Sequence, residues 1–229
     1  NFKSSLSHSA RNQYFDINDM GINHTNNYRY ISATVNYNIY KPFWKLKELG
    51  LGGGIDKAFR MDNGRSTSSE VYVNWRILTL KHFYTWGGVF TSLAKSYDYY
   101  EARNSNYYFL SPGWNTAHIG WSSSYSKPFA LDGNIVYTTI PEYKTRALDL
   151  GIGPILKIGN RMQLEHYFNF ERRTNECGYA GVDSVSLPLF GIRDVDIISN
   201  TLELKYTIKN YMPVSIRLRH YYSEGNYKY

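Results

Sequence analysis

The stretch YRYISATVNYNIYKPFW, residues 28–44, decides the fold of this chain. Residues 31–39 alternate strictly between apolar and polar side chains. One face carries Ile31, Ala33, Val35, Tyr37 and Ile39, and the other carries Ser32, Thr34, Asn36 and Asn38. A period of two indicates a β-strand with one apolar and one polar side. Aromatic residues flank this strand, and a membrane-spanning strand needs about 9–11 residues between aromatic girdles. We therefore predict a transmembrane β-strand.

The composition of the chain fits a barrel better than a helical membrane protein. The 229 residues include 23 tyrosines, and 42% of residues are hydrophobic. No stretch approaches the ~18 apolar residues that a spanning helix needs. A barrel with a polar interior can still be hydrophilic on average, because only every second residue faces lipid. The net charge of +7 is scattered singly along the strands, so we do not expect nucleic-acid binding.

The same alternation recurs along the chain and predicts eleven strands. Long connections are expected at 10–27, 60–69, 95–114 and 173–188, and short ones near 42, 83, 127, 159 and 210, with a brief loop at 141–145. Short turns on one side and longer loops on the other are typical of outer-membrane barrels. The predicted fold class is therefore all-β, an antiparallel transmembrane β-barrel forming one domain over residues 1–229.

The strand count has a consequence for the completeness of the barrel. Bacterial single-chain barrels normally have an even number of strands, and an open sheet would leave backbone groups unsatisfied in lipid. We therefore expect a fragment of a larger even-stranded barrel, cut from a longer chain or completed by another one. The start at Asn1, without a leader, likewise suggests a mature or excised piece. A soluble sandwich or propeller is the alternative, but the strands exceed the usual five or six residues and no blade-length repeat occurs.

Several motifs resemble one protein family. They are DINDMG at 16–21, YDYYEAR at 97–103, GIRDV at 191–195, and LKYT at 204–207 followed by RLRHYY at 217–222. They are similar to the uncharacterised C-terminal barrel domain of large Bacteroidetes-type outer-membrane proteins. That resemblance implies a bacterial outer-membrane location. It also implies a preceding module similar to family 9 carbohydrate-binding modules, and final strands that this chain lacks.

Charged residues on the polar side of the predicted strands are candidates for lining a lumen. They are Arg76, Asp149, Glu165, Glu171, Glu203, Lys205, Arg217 and Arg219. Mixed charge on an inner wall could select solutes. It could equally form salt-bridged rungs that fill a narrow barrel, with Arg217 and Arg219 paired to the Glu203 strand.

The aromatic loop 95–114 is a candidate glycan site, because flat tyrosine and tryptophan rings suit sugar surfaces. The candidate stacking residues are Tyr97, Tyr99, Tyr100, Tyr107, Tyr108 and Trp114. The alternative is an interfacial girdle packed against lipid headgroups.

Metal and catalytic signals are weak. Asp16, Asn18 and Asp19 resemble the start of a calcium loop, but its fifth and twelfth ligand positions are not met, so a polar turn is the alternative. The histidines lie on separate segments, no cofactor is expected, and the single Cys177 reads as incidental.

Three functions remain open at this stage, in order of preference. The first is a porin-like channel or uptake component for glycans or similar solutes. The second is a non-conducting membrane anchor that displays a carbohydrate-binding module. The third is a rim enzyme, which would require His118, His220, Asp98 and Glu101 to approach one another. The expected partners are the outer-membrane bilayer, a glycan ligand and envelope chains that complete the barrel.

Overall fold

A computed structural model describes residues 1–15, 26–104, 106–209 and 211–228. Its main feature is one sheet of eleven strands in which each strand pairs antiparallel with the next strand of that sheet along the chain. Two short strands, β6 and β7, form a separate hairpin. The strands are β1 (Phe2–Arg11), β2 (Tyr28–Ile39), β3 (Leu46–Arg60), β4 (Ser66–Thr79), β5 (Tyr84–Ser92), β6 (Ser96–Asp98), β7 (Phe109–Ser111), β8 (Asn115–Ser122), β9 (Phe129–Ile140), β10 (Thr145–Ile158), β11 (Met162–Val182), β12 (Pro188–Lys209) and β13 (Met212–Tyr227).

The all-β prediction and the count of eleven strands are confirmed. The sheet is open, because β1 pairs only with β2 and β13 only with β12. Within the described residues, the one helical element is a 3-10 turn at Pro141–Tyr143. No described helix is long and apolar enough to cross a membrane.

Two predicted long loops are wrong. Of residues 60–69, only 61–65 form a connection, because β4 already begins at Ser66. Residues 173–188 were expected to form a long connection, but β11 continues to Val182 and β12 begins at Pro188. The polar residues of this segment pair with each other across the two strands, with register shifts after Arg173 and after Tyr179. The two strands therefore extend well past their apolar stretches, and their connection has only the five residues 183–187.

The connections lie at two ends of the sheet. The loop end carries the connections 12–27, 61–65, 93–114, 141–144 and 183–187, and the turn end carries 40–45, 80–83, 123–128, 159–161 and 210–211. The two longest connections, 12–27 and 93–114, are both at the loop end. This asymmetry agrees with the alternation of long and short connections predicted from the sequence. Only two of the four connections predicted to be long are long in the structure.

The solvent exposure of the two faces of the sheet is the reverse of that in a soluble protein. Directly opposite residues share a face, so the apolar set that begins with Ile31 and Val35 continues across every strand. This apolar face is exposed, with Val73 at 64% and Ile216 at 57%. Ser32, Asn38 and Asp56 on the polar face are each exposed by 9% or less. Among described residues, the buried hydrophobic set is Ala102 and Ala130 alone, so the sheet has no conventional apolar core.

Candidate functional site

The polar face is built by short side chains and glycines over which longer side chains reach. Arg76 Nη2 donates a hydrogen bond to Asn38 Oδ1 at 2.8 Å, from β4 to β2, and passes directly over Gly50. A Cβ atom at Gly50 would lie 2.7 Å from the Arg76 side chain. The absence of a side chain at Gly50 therefore lets Arg76 cross β3.

A second network of the same kind joins β9, β10 and β11. The Tyr167 hydroxyl donates to Asn134 Oδ1 at 3.0 Å across Gly151, and Asn134 Nδ2 donates to Asp149 Oδ1 at 3.3 Å. Tyr125 donates a short hydrogen bond to Asp132 nearby. Side-chain hydrogen bonds thus cross the strands at two separate places on the polar face.

All eight predicted lumen residues lie on the polar face, as the register of the strands requires. Lys205 Nζ lies 2.6 Å from Glu165 Oε1 and 3.4 Å from Glu203 Oε1, and Glu171 pairs with Arg173. The alternative in which Arg217 and Arg219 pair with Glu203 is not observed among the described residues. Although Glu203 is directly opposite Arg217, Lys205 is its ion-pair partner, and neither arginine forms an ion pair with any residue in the described ranges.

The two unpaired arginines border an open cavity on the polar face. This cavity has a volume of about 500 Å³, and Glu165, Tyr167 and Glu203 also line it. An adjoining cavity of about 590 Å³ is lined by Trp86, His118 and Asn134. The ion pairs of Lys205 with Glu165 and Glu203 therefore leave free volume beside the two arginines.

The connection 93–114, which we call the strap, lies across the loop end of the polar face. One side of it is held by the β3–β4 hairpin. The Arg60 guanidinium lies 4.1 Å from the centre of the Tyr99 ring. Arg65 lies 4.9 Å from the rings of both Tyr97 and Tyr108. Stacked cation and ring pairs of this kind contribute about 0.5–1 kcal/mol each at exposed sites.

The other side of the strap is held by β11 and β12. Glu101 Oε1 accepts a hydrogen bond from the backbone N–H of Tyr179 at 2.7 Å, and Arg103 stacks on the Tyr179 ring. The rings of Phe109 and Phe190 lie 4.7 Å apart. Four strands separate β4 from β11 in the sheet, so one connection can contact both hairpins only if the sheet curls around its polar face. This curvature also explains why Ser32, Asn38 and Asp56 on the polar face are buried although no second sheet covers them.

An aromatic cleft of about 510 Å³ lies between the strap and the ends of β2 and β3. Tyr97, Tyr99 and Tyr100 line it from the strap, and Tyr28 and Tyr30 line it from β2. Three of the six predicted stacking residues therefore face this cleft. Tyr107, Tyr108 and Trp114 do not line it, and one face of Tyr99 is already covered by Arg60.

Sequence reasoning missed several residues of this cleft. Tyr28 and Tyr30 were read as part of an aromatic girdle, but they continue the even-numbered polar series that includes Ser32 and Thr34. Their even residue numbers, shared with Ser32 and Thr34, could have assigned them to the polar face. Arg60 and Tyr179 contact the strap over long sequence distances, and no local pattern indicates those contacts.

The residues proposed for catalysis do not form one cluster. His118 lies on the polar face beside Phe90, whereas His220 is opposite Asn200 on the apolar face. Asp98 Oδ1 accepts hydrogen bonds from the backbone N–H groups of Tyr100 and Glu101. Burial raises the pKa of the Cys177 thiol, which disfavours the reactive thiolate.

The predicted calcium-loop residues Asp16, Asn18 and Asp19 lie outside the described residues. Within the described part of the chain, no group of three histidine, cysteine, aspartate or glutamate side chains could hold a metal ion.

Comparison with protein families gives one result. A family model described as Domain of unknown function (DUF5916) matches residues 1–229, so the chain belongs to that family. The match begins earlier than residue 12, where the resemblance read from the motifs started, and it covers the whole chain. No curated protein matches the sequence.

Proposed function

We propose that this DUF5916 domain forms part of the wall of a transmembrane β-barrel in a bacterial outer membrane, and that its polar face lines a passage for glycans or similar polar solutes. The observation that carries the proposal is the reversed distribution of side chains, with large aliphatic residues exposed on one face and Ser32, Asn38 and Asp56 buried on the other. Water would penalise that apolar surface by about 25 cal/mol per Å². Lipid outside and water inside make the same distribution favourable.

The apolar band has the length that a membrane requires. In β2 it runs from Ile31 to Ile39, which is roughly 30 Å of strand before tilt. Charged residues border the band in β11–β13, where Arg172, Asp196 and Glu224 share one row on the same face. At the turn end, basic residues lie in or beside every connection: Lys41, Lys45, Lys81, Lys127, Arg161 and Lys209.

The open edges require partners under this proposal. Unpaired backbone groups of β1 and β13 would be unsatisfied in lipid. Because eleven antiparallel strands leave β1 and β13 running in the same direction, an odd number of further strands is needed to close an antiparallel barrel. These strands would come from another part of the same protein or from another envelope chain.

Solute passage is supported by the free space on the polar face. Cavities of about 500 and 590 Å³ lie there, and Arg217 and Arg219 form no rungs with described carboxylates. The aromatic cleft under the strap supports a sugar as the solute, since ring faces and tyrosine hydroxyls suit pyranoses. The resemblance to domains that follow a carbohydrate-binding module points to the same solute class.

A membrane anchor is the second candidate, and the strap is the observation that favours it. The strap crosses the loop end and is held on both sides, so it narrows the opening there. An anchor would need no open passage, and the polar face would then serve only to fill the barrel.

Single-channel conductance of the complete parent protein in a planar bilayer distinguishes the two candidates. The passage proposal predicts a steady current that added oligosaccharides block. A folded, inserted barrel that never conducts, with the strap intact or removed, would contradict it and favour the anchor.

A further inference from the structure

Two carboxylates lie directly opposite each other on the polar face. Asp56 of β3 is the register partner of Glu70 of β4, and on its other side Asp56 faces Ser32 of β2. Opposite residues on one face of an antiparallel pair have Cβ atoms about 4.5–5.5 Å apart, and like charges at such positions destabilise the sheet. Something must therefore compensate this pair.

The pair has no basic partner in the described part of the chain, although the Asp56 side chain shares a hydrogen bond with Tyr30. Asp56 is only 9% exposed, and its Oδ1 atom is buried without a hydrogen-bond partner. No described lysine or arginine forms an ion pair with either carboxylate. Lys57, the nearest basic residue in sequence, points to the opposite face and lies over the Phe59 ring. Burying a carboxylate oxygen without a partner is costly, and a bound cation would offset that cost.

The surroundings of the pair offer oxygen atoms. Ser32 is opposite Asp56. Tyr30 precedes Ser32 by two residues and Tyr72 follows Glu70 by two residues, so both tyrosines lie on the same face as the pair. The Tyr72 ring lies over Gly54, where no side chain separates it from β3. Carboxylate and hydroxyl oxygens suit a hard divalent cation, and Ca²⁺ accepts irregular sets completed by water.

We propose that Asp56 and Glu70 bind one Ca²⁺ ion on the polar face. The ion neutralises both carboxylates and joins β3 to β4 just below the aromatic cleft, whose wall includes Tyr30. This site lies on the same polar face, and its existence does not depend on whether the barrel conducts.

Terbium luminescence tests the site directly. Tb³⁺ replaces Ca²⁺ at oxygen sites, and the nearby Tyr30 and Tyr72 can sensitise its emission. The complete protein is kept in detergent-containing buffer, which holds an exposed apolar face in solution whether or not the membrane proposal is right. We expect sensitised emission that Ca²⁺ displaces, and an affinity weaker by on the order of tenfold or more in Glu70→Gln.

Two control variants sharpen the result. Asp149→Asn removes a polar-face carboxylate that already accepts a hydrogen bond from Asn134, and it should bind Tb³⁺ like the wild type. Asp16→Asn with Asp19→Asn removes the other calcium candidate in the sequence. Calcium should also raise the melting temperature of the wild type and not that of Glu70→Gln.

Three outcomes would overturn the proposal. They are the absence of emission that Ca²⁺ displaces, equal binding by wild type and Glu70→Gln, and loss of emission only in the Asp16 and Asp19 variant. If Asp56→Asn does not fold, the near-isosteric Glu70→Gln still decides the question.

Discussion

At the scale of single residues, three tryptophans lie over glycines of the neighbouring strand. The pairs are Trp75 with Gly87, Trp86 with Gly120, and Trp121 with Gly133, each directly opposite in register. The aromatic ring covers the gap left by the missing side chain and packs against the sheet. The sequence shows the tryptophans and glycines, but only the register shows that they are partners.

Gly120→Ala should therefore destabilise the sheet. A Cβ atom there would lie 2.4 Å from the Trp86 ring, and overpacking of this kind costs about 1–3 kcal/mol. Urea unfolding in detergent, followed by tryptophan fluorescence, measures the change. Gly225→Ala is the matched control, because no atom lies within 4 Å of its Cβ position. Equal stability of the two variants would contradict the packing account.

Glu176 should give the β11–β12 hairpin a pH-dependent stability. Burial alone would raise the pKa of Glu176, but hydrogen bonds from Arg173 and Arg193 outweigh it, and the pKa is lowered. The contribution is thus present above the unfolded-state pKa of about 4.3 and is lost as the pH falls through the folded-state pKa.

Glu176→Gln is expected to lower the free energy of unfolding by roughly 1–3 kcal/mol at pH 7. In acid the difference from the wild type should disappear, because the wild-type carboxyl is then also neutral. Parallel unfolding curves at pH 7 and in acid make the comparison. A difference that is independent of pH would mean that the ion pairs are not its source.

At the scale of elements, the period of two predicted every strand of the sheet. It worked because apolar residues alternate with polar residues along the strands, so the pattern is unambiguous. It failed for residues 173–182, where polar side chains occupy both faces of a strand that extends past the apolar band. The strap was predicted only as an aromatic loop, since its contacts with Arg60 and Tyr179 are set by tertiary structure.

Releasing one side of the strap should enlarge the passage, under the proposed function. Glu101→Ala with Phe109→Ala removes a charged hydrogen bond to Tyr179, about 1.5–3 kcal/mol, and a ring pair with Phe190, about 0.5–1.5 kcal/mol. We expect a higher single-channel current and passage of longer oligosaccharides. Leu110→Ala, in the same strap, is the control. An unchanged current in a conducting protein would show that the strap does not limit passage.

At the scale of the whole molecule, the sequence predicted an all-β sheet of eleven antiparallel strands, and that is confirmed. The strict alternation of residues 31–39 was sufficient for this because the faces have opposite polarity throughout. Closure of the sheet into a barrel depends on partners for β1 and β13, and the alternation of side chains does not specify those partners. The membrane location stays a proposal that rests on the exposed apolar face.

Arginine substitutions on that face test the location. Leu204 and Ile216 are directly opposite each other on the apolar face of β12 and β13. Near the middle of a bilayer, Leu204→Arg or Ile216→Arg should each cost about 2–4 kcal/mol and reduce membrane assembly. Ser199→Arg on the polar face of β12 should assemble normally. Normal assembly of both apolar-face variants would contradict the assigned orientation.

The most direct test of the central claim is fluorescence quenching along β2 in lipid vesicles. Single cysteines at residues 33–38, in a Cys177→Ser background, are labelled with a small fluorophore and exposed to a lipid-borne or an aqueous quencher. The account predicts strict alternation between the two quenchers. Lipid quenching is expected at Ala33, Val35 and Tyr37, and aqueous quenching is expected at Thr34, Asn36 and Asn38. Absence of lipid quenching at all six positions, or quenching without alternation, would contradict a membrane-embedded sheet with a polar inner face.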